Sequence, residues 1–168
     1  MKERAGFTIV ELLVVIAIIG ILLTLSIVNL TGNQARVRDE ERRGDIANIA
    51  SNLETFYTSG TNTVTPGGYP GTDQFTSEAT ILAALRDLEP ESLRAPKQTG
   101  TGISLVPATN SIQTTTGVLP QPTSTRYVYQ PINNSTLCTV TSNKCRQFIL
   151  YYFNETDGTV TSLKSKYQ

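Results

Sequence analysis

Histidine and tryptophan are absent from the 168 residues, and methionine occurs once. Without histidine the chain lacks the commonest general base and a common metal ligand, which argues against most familiar hydrolase and zinc chemistry. The 14 basic and 14 acidic residues cancel, and a net charge of zero argues against nucleic-acid binding. Because no nucleophile or carboxylate pair has a catalytic spacing, we expect a protein that is not an enzyme.

A long apolar run dominates the N-terminal part of the chain. Every residue between Leu12 and Leu23 is apolar or glycine. A helix of about 24 residues is roughly 36 Å long, enough to cross a hydrocarbon core of about 30 Å. Lys2 and Arg4 precede the run, so the positive-inside bias places the N-terminus in the cytoplasm and the rest outside. A removable secretory signal fits poorly, because this run is longer and no A-x-A site follows it.

One acidic residue, Glu11, lies inside the hydrophobic segment. A carboxylate in a spanning helix costs about 2–4 kcal/mol at mid-bilayer, so an acid there indicates a function. The stretch from Gly6 to Leu22, GFTIVELLVVIAIIGIL, resembles the N-terminus of type IV prepilins and of type II secretion pseudopilins. The shared pattern is a short basic leader ending in glycine, then phenylalanine, a glutamate five residues after the glycine, and an unbroken apolar run.

The resemblance implies roles for four residues at this end. A prepilin peptidase would cleave between Gly6 and Phe7 and methylate the new amine of Phe7. Phe7, Thr8 and Glu11 would set the subunit register, with the Glu11 carboxylate facing an N-terminal amine. In low dielectric such a pair compensates two charges that would each be costly alone. Val28 stands where many family members have proline.

The fold implied by the resemblance is an α+β pilin fold, in which a long N-terminal helix packs on a small antiparallel sheet. We divide the chain into a leader (1–6), an apolar half of the helix (7–30), an amphipathic half (31–58) and a globular head (59–168). The implied partners are other copies in a helical filament, the prepilin peptidase, an assembly ATPase and an inner-membrane platform protein. The subunit would be anchored in the cytoplasmic membrane before assembly and lie in a surface pilus afterwards.

Residue spacing predicts the rest of the helix. The pairs Arg36/Glu40 and Asp39/Arg43 are four residues apart, which places each pair on one helix face. An apolar stripe with spacings of three and four then follows and predicts a buried helix face up to about Tyr57. Its members are Ile46, Ile49, Ala50, Leu53, Phe56 and Tyr57. Gly60, Pro66, Gly67, Gly68 and Pro70 end the helix.

In the head, Ser77 is the predicted cap of a short helix that Pro90 stops. Residues 97–125 are rich in threonine, serine, glycine and proline, and they predict a long surface loop with an edge strand at 103–106. Strands are predicted at 126–130, 147–153 and 159–163, with Asp157-Gly158 as a hairpin turn. We interpret the tyrosines of these strands as half-buried sheet residues. They are Tyr127, Tyr129, Tyr151 and Tyr152.

Cys138 and Cys145 are the only cysteines, and outside a membrane they are expected to form a disulfide. Glu155 and Asp157, together with Asp73, are weak candidates for a calcium site, since calcium prefers several oxygen ligands. No other cofactor is expected. Asn-x-Ser/Thr triplets begin at Asn29, Asn133, Asn134 and Asn154.

Three functions are open from the sequence. The chain is best interpreted as a pilin that polymerises into a type IV pilus. The first alternative is a pseudopilin of a type II secretion pseudopilus, because the resemblance covers both. A monomeric, membrane-anchored surface binding module is the third, and it leaves Glu11 unexplained.

Overall fold

The computed structural model describes residues 7–61 and 64–167, apart from the side chains of 25–32 and 143. The chain divides into two compact units, Met1–Val37 and Arg38–Gln168, which we call the N-terminal unit and the head unit. The head unit includes the second half of the long helix, from Arg38 onward.

The first element is helix α1, Ile9–Ser59, close to the predicted 7–57. Its backbone is helical through Val28. The helix ends at Gly60, whose φ of +62° favours glycine, and the Gly60 N–H donates to the Phe56 carbonyl (2.8 Å). A side chain at position 60 would meet the Val64 carbonyl oxygen. Within the described residues, no helix combines the length and hydropathy needed to cross a membrane.

The apolar stripe predicted on the second half of α1 is confirmed. Its first five members are buried in the main core of the head unit, and Tyr57 is half-buried at its edge. They are Ile46, Ile49, Ala50, Leu53 and Phe56. This burial anchors the helix in the head unit through the hydrophobic effect.

Helix α2, Glu78–Ala84, begins at the predicted cap. The Ser77 hydroxyl accepts from the Thr80 N–H (3.3 Å), and the Thr80 hydroxyl accepts from the Ser77 N–H (3.1 Å). This reciprocal capping box satisfies two donors at the helix start. Short 3-10 helices occupy Thr72–Gln74, Pro90–Leu93 and Thr141–Asn143.

A five-stranded sheet completes the head unit. The strands are β1 (Leu105–Pro107), β2 (Tyr127–Asn133), β3 (Thr136–Leu137), β4 (Gln147–Asn154) and β5 (Thr159–Lys164). The spatial order is β1-β2-β4-β5, and β3 also pairs with β2. The predicted antiparallel pairing is confirmed for β2, β4 and β5, and β1 adds a parallel neighbour to β2, so the sheet is mixed. A parallel neighbour needs a long connection, which residues 108–126 supply.

Both faces of the sheet are covered. The main core lies on one face, and on the other a second cluster contains Ala108, Val118, Val128, Ile149 and Tyr151. The loop of 108–121 supplies the first two, so the prediction of a surface loop is wrong for this part of 97–125. The edge strand predicted at 103–106 is present as β1. Tyr127 and Tyr129 in the main core and Tyr151 in the second cluster are fully buried rather than half-buried, whereas Tyr152 is half-buried as predicted.

A buried amide fixes the covering loop to β2. The Gln130 amide nitrogen donates to the carbonyls of Asn110 (2.8 Å) and Ile112 (3.1 Å). Its oxygen accepts from the Tyr151 hydroxyl (2.9 Å). Because a buried polar group without partners is costly, these bonds specify where the loop lies on the sheet.

The disulfide between Cys138 and Cys145 is present, with an S–S distance of 2.06 Å. The loop it closes packs on the Gly-rich segment that follows α1. The N–H of Tyr69 donates to the Cys145 carbonyl (2.8 Å), and the N–H of Thr72 donates to the Cys138 carbonyl (3.2 Å). The disulfide therefore stabilises a connection between strands β3 and β4 on which residues 69–72 depend.

Candidate functional site

The start of α1 is capped by two side chains of the predicted assembly motif. The Thr8 N–H donates to the Glu11 carboxylate (2.9 Å), and the Thr8 hydroxyl donates to the same oxygen (2.9 Å). The Glu11 N–H in turn donates to the Thr8 hydroxyl oxygen (3.2 Å). This is a capping box, in which Thr8 and Glu11 satisfy each other's backbone donors.

The capping box gives Glu11 two properties. Its carboxylate lies near the N-terminal end of the helix dipole, where negative charge is stabilised. One of its oxygens is held by Thr8, so the carboxylate has a defined position on the helix. The pattern T-x-x-E before an apolar run is the sequence signature of a capping box, which was not among the predictions.

The helix that follows the cap is apolar on all sides. Phe7 is 88% exposed, and the large apolar side chains from Ile9 to Leu23 are exposed around the helix. Among the described residues, none of these side chains from Phe7 to Leu23 is buried. Contiguous exposed apolar surface marks a site of interaction with protein or lipid.

The structure describes three of the four predicted processing and register residues, Phe7, Thr8 and Glu11. Phe7 directly precedes the capping box of Thr8 and Glu11, and Gly6 lies outside the described residues. Cleavage and N-methylation at the Gly6-Phe7 bond therefore stay predictions.

A second polar site lies in the head unit, where the turn between β4 and β5 meets α1. The Glu155 carboxylate is nearly buried and contacts three cationic side chains. Its oxygens accept from Arg38 (2.8 Å), from Lys97 (2.7 Å) and from Arg42. The hydrogen bond from Arg38, helped by those from Lys97 and Arg42, lowers the pKa of Glu155 to about 2 against its burial.

The opposite carboxylate, Asp39 on α1, binds the backbone of the same turn. It accepts from the N–H groups of Glu155 (2.8 Å) and Thr156 (2.9 Å), and it pairs with Arg42 (2.9 Å). Burial alone would raise the pKa of Asp39, but the bonds from Thr156 and Glu155 lower it overall. We call Arg38, Asp39, Arg42, Lys97 and Glu155 the ionic clasp.

The ionic clasp corrects two expectations. The spacing of four residues suggested ion pairs Arg36/Glu40 and Asp39/Arg43 on one helix face; in the part of the chain that the structure describes, Asp39 pairs instead with Arg42, and no ion pair joins Arg36 to Glu40. Sequence spacing along one helix could not show that Glu155 of the β4–β5 turn binds Arg38 and Arg42, or that the turn N–H groups bind Asp39.

The calcium candidates are also placed differently from the expectation. Glu155 is neutralised by cations, and Asp157 accepts from Thr159 N–H (3.0 Å) and from Asn154 (3.1 Å) inside its own turn. Asp73 accepts from the Thr141 N–H (3.1 Å) at the disulfide loop. Over residues 7–61 and 64–167, no three acidic or cysteine side chains gather as a metal site would require.

Asp45 is a second unusual carboxyl in the head unit. It lies on α1 and accepts from the hydroxyl of the buried Tyr127 (2.7 Å). Burial raises the pKa of Asp45 to about 6, against the hydrogen bond from Tyr127. In a chain without histidine, this group titrates close to neutral pH.

A long capped N-terminal helix with an exposed apolar half, followed by a small mixed sheet packed on its second half, defines a pilin-like protein. Residues 1–27 match the family model for the prokaryotic N-terminal methylation motif. The chain is 34% identical to type II secretion system core protein G of Vibrio cholerae over 74 residues, which are 44% of this chain and 47% of that protein. It is 32% identical to core protein G of Dickeya chrysanthemi over 73 residues, 44% of each chain.

The matches support membership of the family of type IV pilins and type II secretion pseudopilins. They span less than half the length of these relatives. No solved structure gives a significant match.

Proposed function

We propose that this protein is a pilin, a structural subunit that polymerises through the N-terminal half of α1 into a type IV pilus. The observation that carries the proposal is the Thr8–Glu11 capping box at the start of a helix whose apolar side chains are exposed all round. A helix that is apolar on every side requires burial among other helices or in lipid.

A bundle of α1 helices from several copies would bury this surface. Extraction of the helix from lipid into such a bundle brings Glu11 into a low-dielectric environment, where an unpaired carboxylate is costly. The amine that cleavage at Phe7 creates on a neighbouring copy is the proposed counterion. Pairing of these two charges would then select one axial register between subunits.

The same proposal assigns partners and location. A prepilin peptidase would remove residues 1–6 and methylate Phe7, and an assembly ATPase with a membrane platform protein would drive polymerisation. The subunit would be anchored in the cytoplasmic membrane before assembly and incorporated into a surface filament afterwards. Its role there would be structural, without catalytic activity.

A pseudopilin of a type II secretion pseudopilus is the second candidate. The observation that favours it is the set of matched relatives, which are core proteins G of that system. Deletion in the host separates the two machines: a secretion defect without loss of surface pili supports the pseudopilin, and loss of pili with normal secretion supports the pilin.

Replacement of Glu11 by valine tests the shared mechanism. Glu11→Val removes the costly charge, so membrane insertion stays intact while incorporation into sheared filaments falls at least about tenfold, measured by immunoblot of the filament fraction. Glu40→Gln, at an exposed position of the same helix, serves as the matched control and is expected to assemble normally. Normal filaments from Glu11→Val would contradict the register role of Glu11.

A further inference from the structure

Four Asn-x-Ser/Thr triplets occur in the sequence, and the structure presents them differently. An acceptor for N-linked glycosylation must lie on an accessible surface loop outside the cytoplasm. The second condition rests on the proposed function, which exports the head unit. The first condition is decided by the local structure around each asparagine.

Three of the triplets are poorly presented. Asn29 lies within α1, so its backbone is helical. Asn133 is the half-buried last residue of β2 and pairs with Thr136 of β3. In the triplet at Asn154, the threonine is engaged by Asp39 of the ionic clasp, because the Thr156 N–H and hydroxyl both donate to it (2.9 and 2.5 Å).

Asn134 lies in a turn, whereas the other three asparagines lie in a helix or at the end of a strand. Asn134 and Ser135 form the two-residue tip of the β2–β3 hairpin, and both have positive φ (+49° and +66°). These angles are typical of a type I′ turn, which points its two central residues away from the strands. Asn134, Ser135 and Thr136 are all exposed.

The hairpin also holds the threonine of the Asn134 triplet in place. The Thr136 hydroxyl donates to the Asn133 carbonyl (2.6 Å), which fixes the exposed threonine beside the turn. Just beyond it, the buried disulfide of Cys138 anchors the base of the hairpin. The acceptor therefore projects from a rigid support into solvent.

We propose that Asn134 is an N-glycosylation site of the exported head unit, with a polyprenyl-phosphate-linked oligosaccharide as the donor. In the transfer, Nδ2 of Asn134 forms a bond to the anomeric carbon of the sugar, and the bond from that carbon to the phosphate oxygen breaks. The lipid phosphate leaves with the electron pair, and the amide proton passes to a carboxylate base of the transferase.

The test is a peptide map of the protein purified from its native host. Trypsin releases Tyr127–Lys144 after reduction, and this peptide is expected to carry the mass of whole sugar residues, located on Asn134 by fragmentation. An unmodified peptide would overturn the proposal. The N-terminal peptide in the same digest reports separately on the proposed function, since a start at methylated Phe7 shows prepilin processing whatever the state of Asn134.

Two neighbouring substitutions distinguish Asn134 from Asn133. Ser135→Gly destroys the Asn133 triplet and keeps that of Asn134, and glycine suits the positive φ at this position. Thr136→Ala does the reverse. We expect the sugar to persist in Ser135→Gly and to disappear in Thr136→Ala and in Asn134→Asp, which tolerates the left-handed turn. Loss of the sugar in Ser135→Gly with retention in Thr136→Ala would assign it to Asn133 and overturn the proposal.

Discussion

The guanidinium of Arg42 is fully buried in the head unit, so the fold must compensate the hydration that this cation loses. It donates to Asp39 (2.9 Å), to the Ser124 carbonyl (2.9 Å) and to Glu155. Within the described residues its Nε has no partner. A buried cation is tolerated only when anions and acceptors compensate its lost hydration. Asp39 and Glu155 supply that compensation.

The charged carboxylate of Asp45 destabilises the folded protein at neutral pH. Its folded pKa of about 6 lies above its ordinary value of 3.8, so folding favours the protonated carboxyl. The cost of the charged form is absent below about pH 4 and appears as the pH rises through about 6. We expect Asp45→Asn to stabilise the protein by about 1 kcal/mol at pH 7.5, after allowance for solvent screening.

Thermal unfolding between pH 4 and 8 measures this effect. The amide of Asp45→Asn still accepts from the Tyr127 hydroxyl, so the gain should shrink toward zero as the pH falls to 4. Asp87→Asn, at an exposed position, provides the matched control and should leave the melting temperature unchanged. A loss of stability in Asp45→Asn at pH 7.5 would show that its carboxylate is favourable in the fold.

At the scale of elements, the ionic clasp joins α1 to the turn between β4 and β5. Each side offers an anion to donors of the other: Glu155 to Arg38 and Arg42, and Asp39 to the turn N–H groups. These hydrogen bonds and ion pairs in both directions fix the position of the β4–β5 hairpin along α1. Apolar contacts are less directional and would specify this position less sharply. The contact is therefore expected to be cooperative.

Removal of one partner tests the clasp. Glu155→Gln leaves the buried Arg42 with less compensating charge, so we expect a loss of about 3 kcal/mol in the free energy of unfolding, measured by urea denaturation. Glu40→Gln is the control on the exposed face of α1 and should cost far less. Because the pKa of Glu155 is lowered to about 2, its contribution is present above pH 4.5 and is lost as the pH falls toward 2. An equal effect of the two substitutions would argue against the clasp.

The elements also show which features the sequence could reveal. Local signals located α1, α2, β2, β4 and β5, because amphipathic spacing, a serine cap and alternating strands are read from neighbouring residues. The parallel pairing of β1 and the burial of Val118 depend on contacts far along the chain, so no local pattern reported them. The ionic clasp was missed for the same reason, since Glu155 lies 113 residues after Arg42.

At the scale of the whole molecule, the two units differ in how they are stabilised. Among the described side chains of residues 7–37, none is buried, whereas all of the hydrophobic core lies in the head unit. The described part of the N-terminal unit therefore has no hydrophobic core of its own. The head unit has its own core, disulfide and ionic clasp.

A truncated chain beginning at Arg38 tests this division. It retains every core residue and the whole ionic clasp, so we expect it to fold as a soluble monomer with the disulfide formed. A chain beginning at Arg43 is the matched control: it keeps the core but loses Arg38, Asp39 and Arg42. Urea denaturation should show the longer chain to be more stable by at least about 2 kcal/mol, because the buried Glu155 then loses its main partners. Equal stabilities would show that the clasp contributes nothing to the head unit, and failure of both chains to fold would show that the N-terminal unit is required for it.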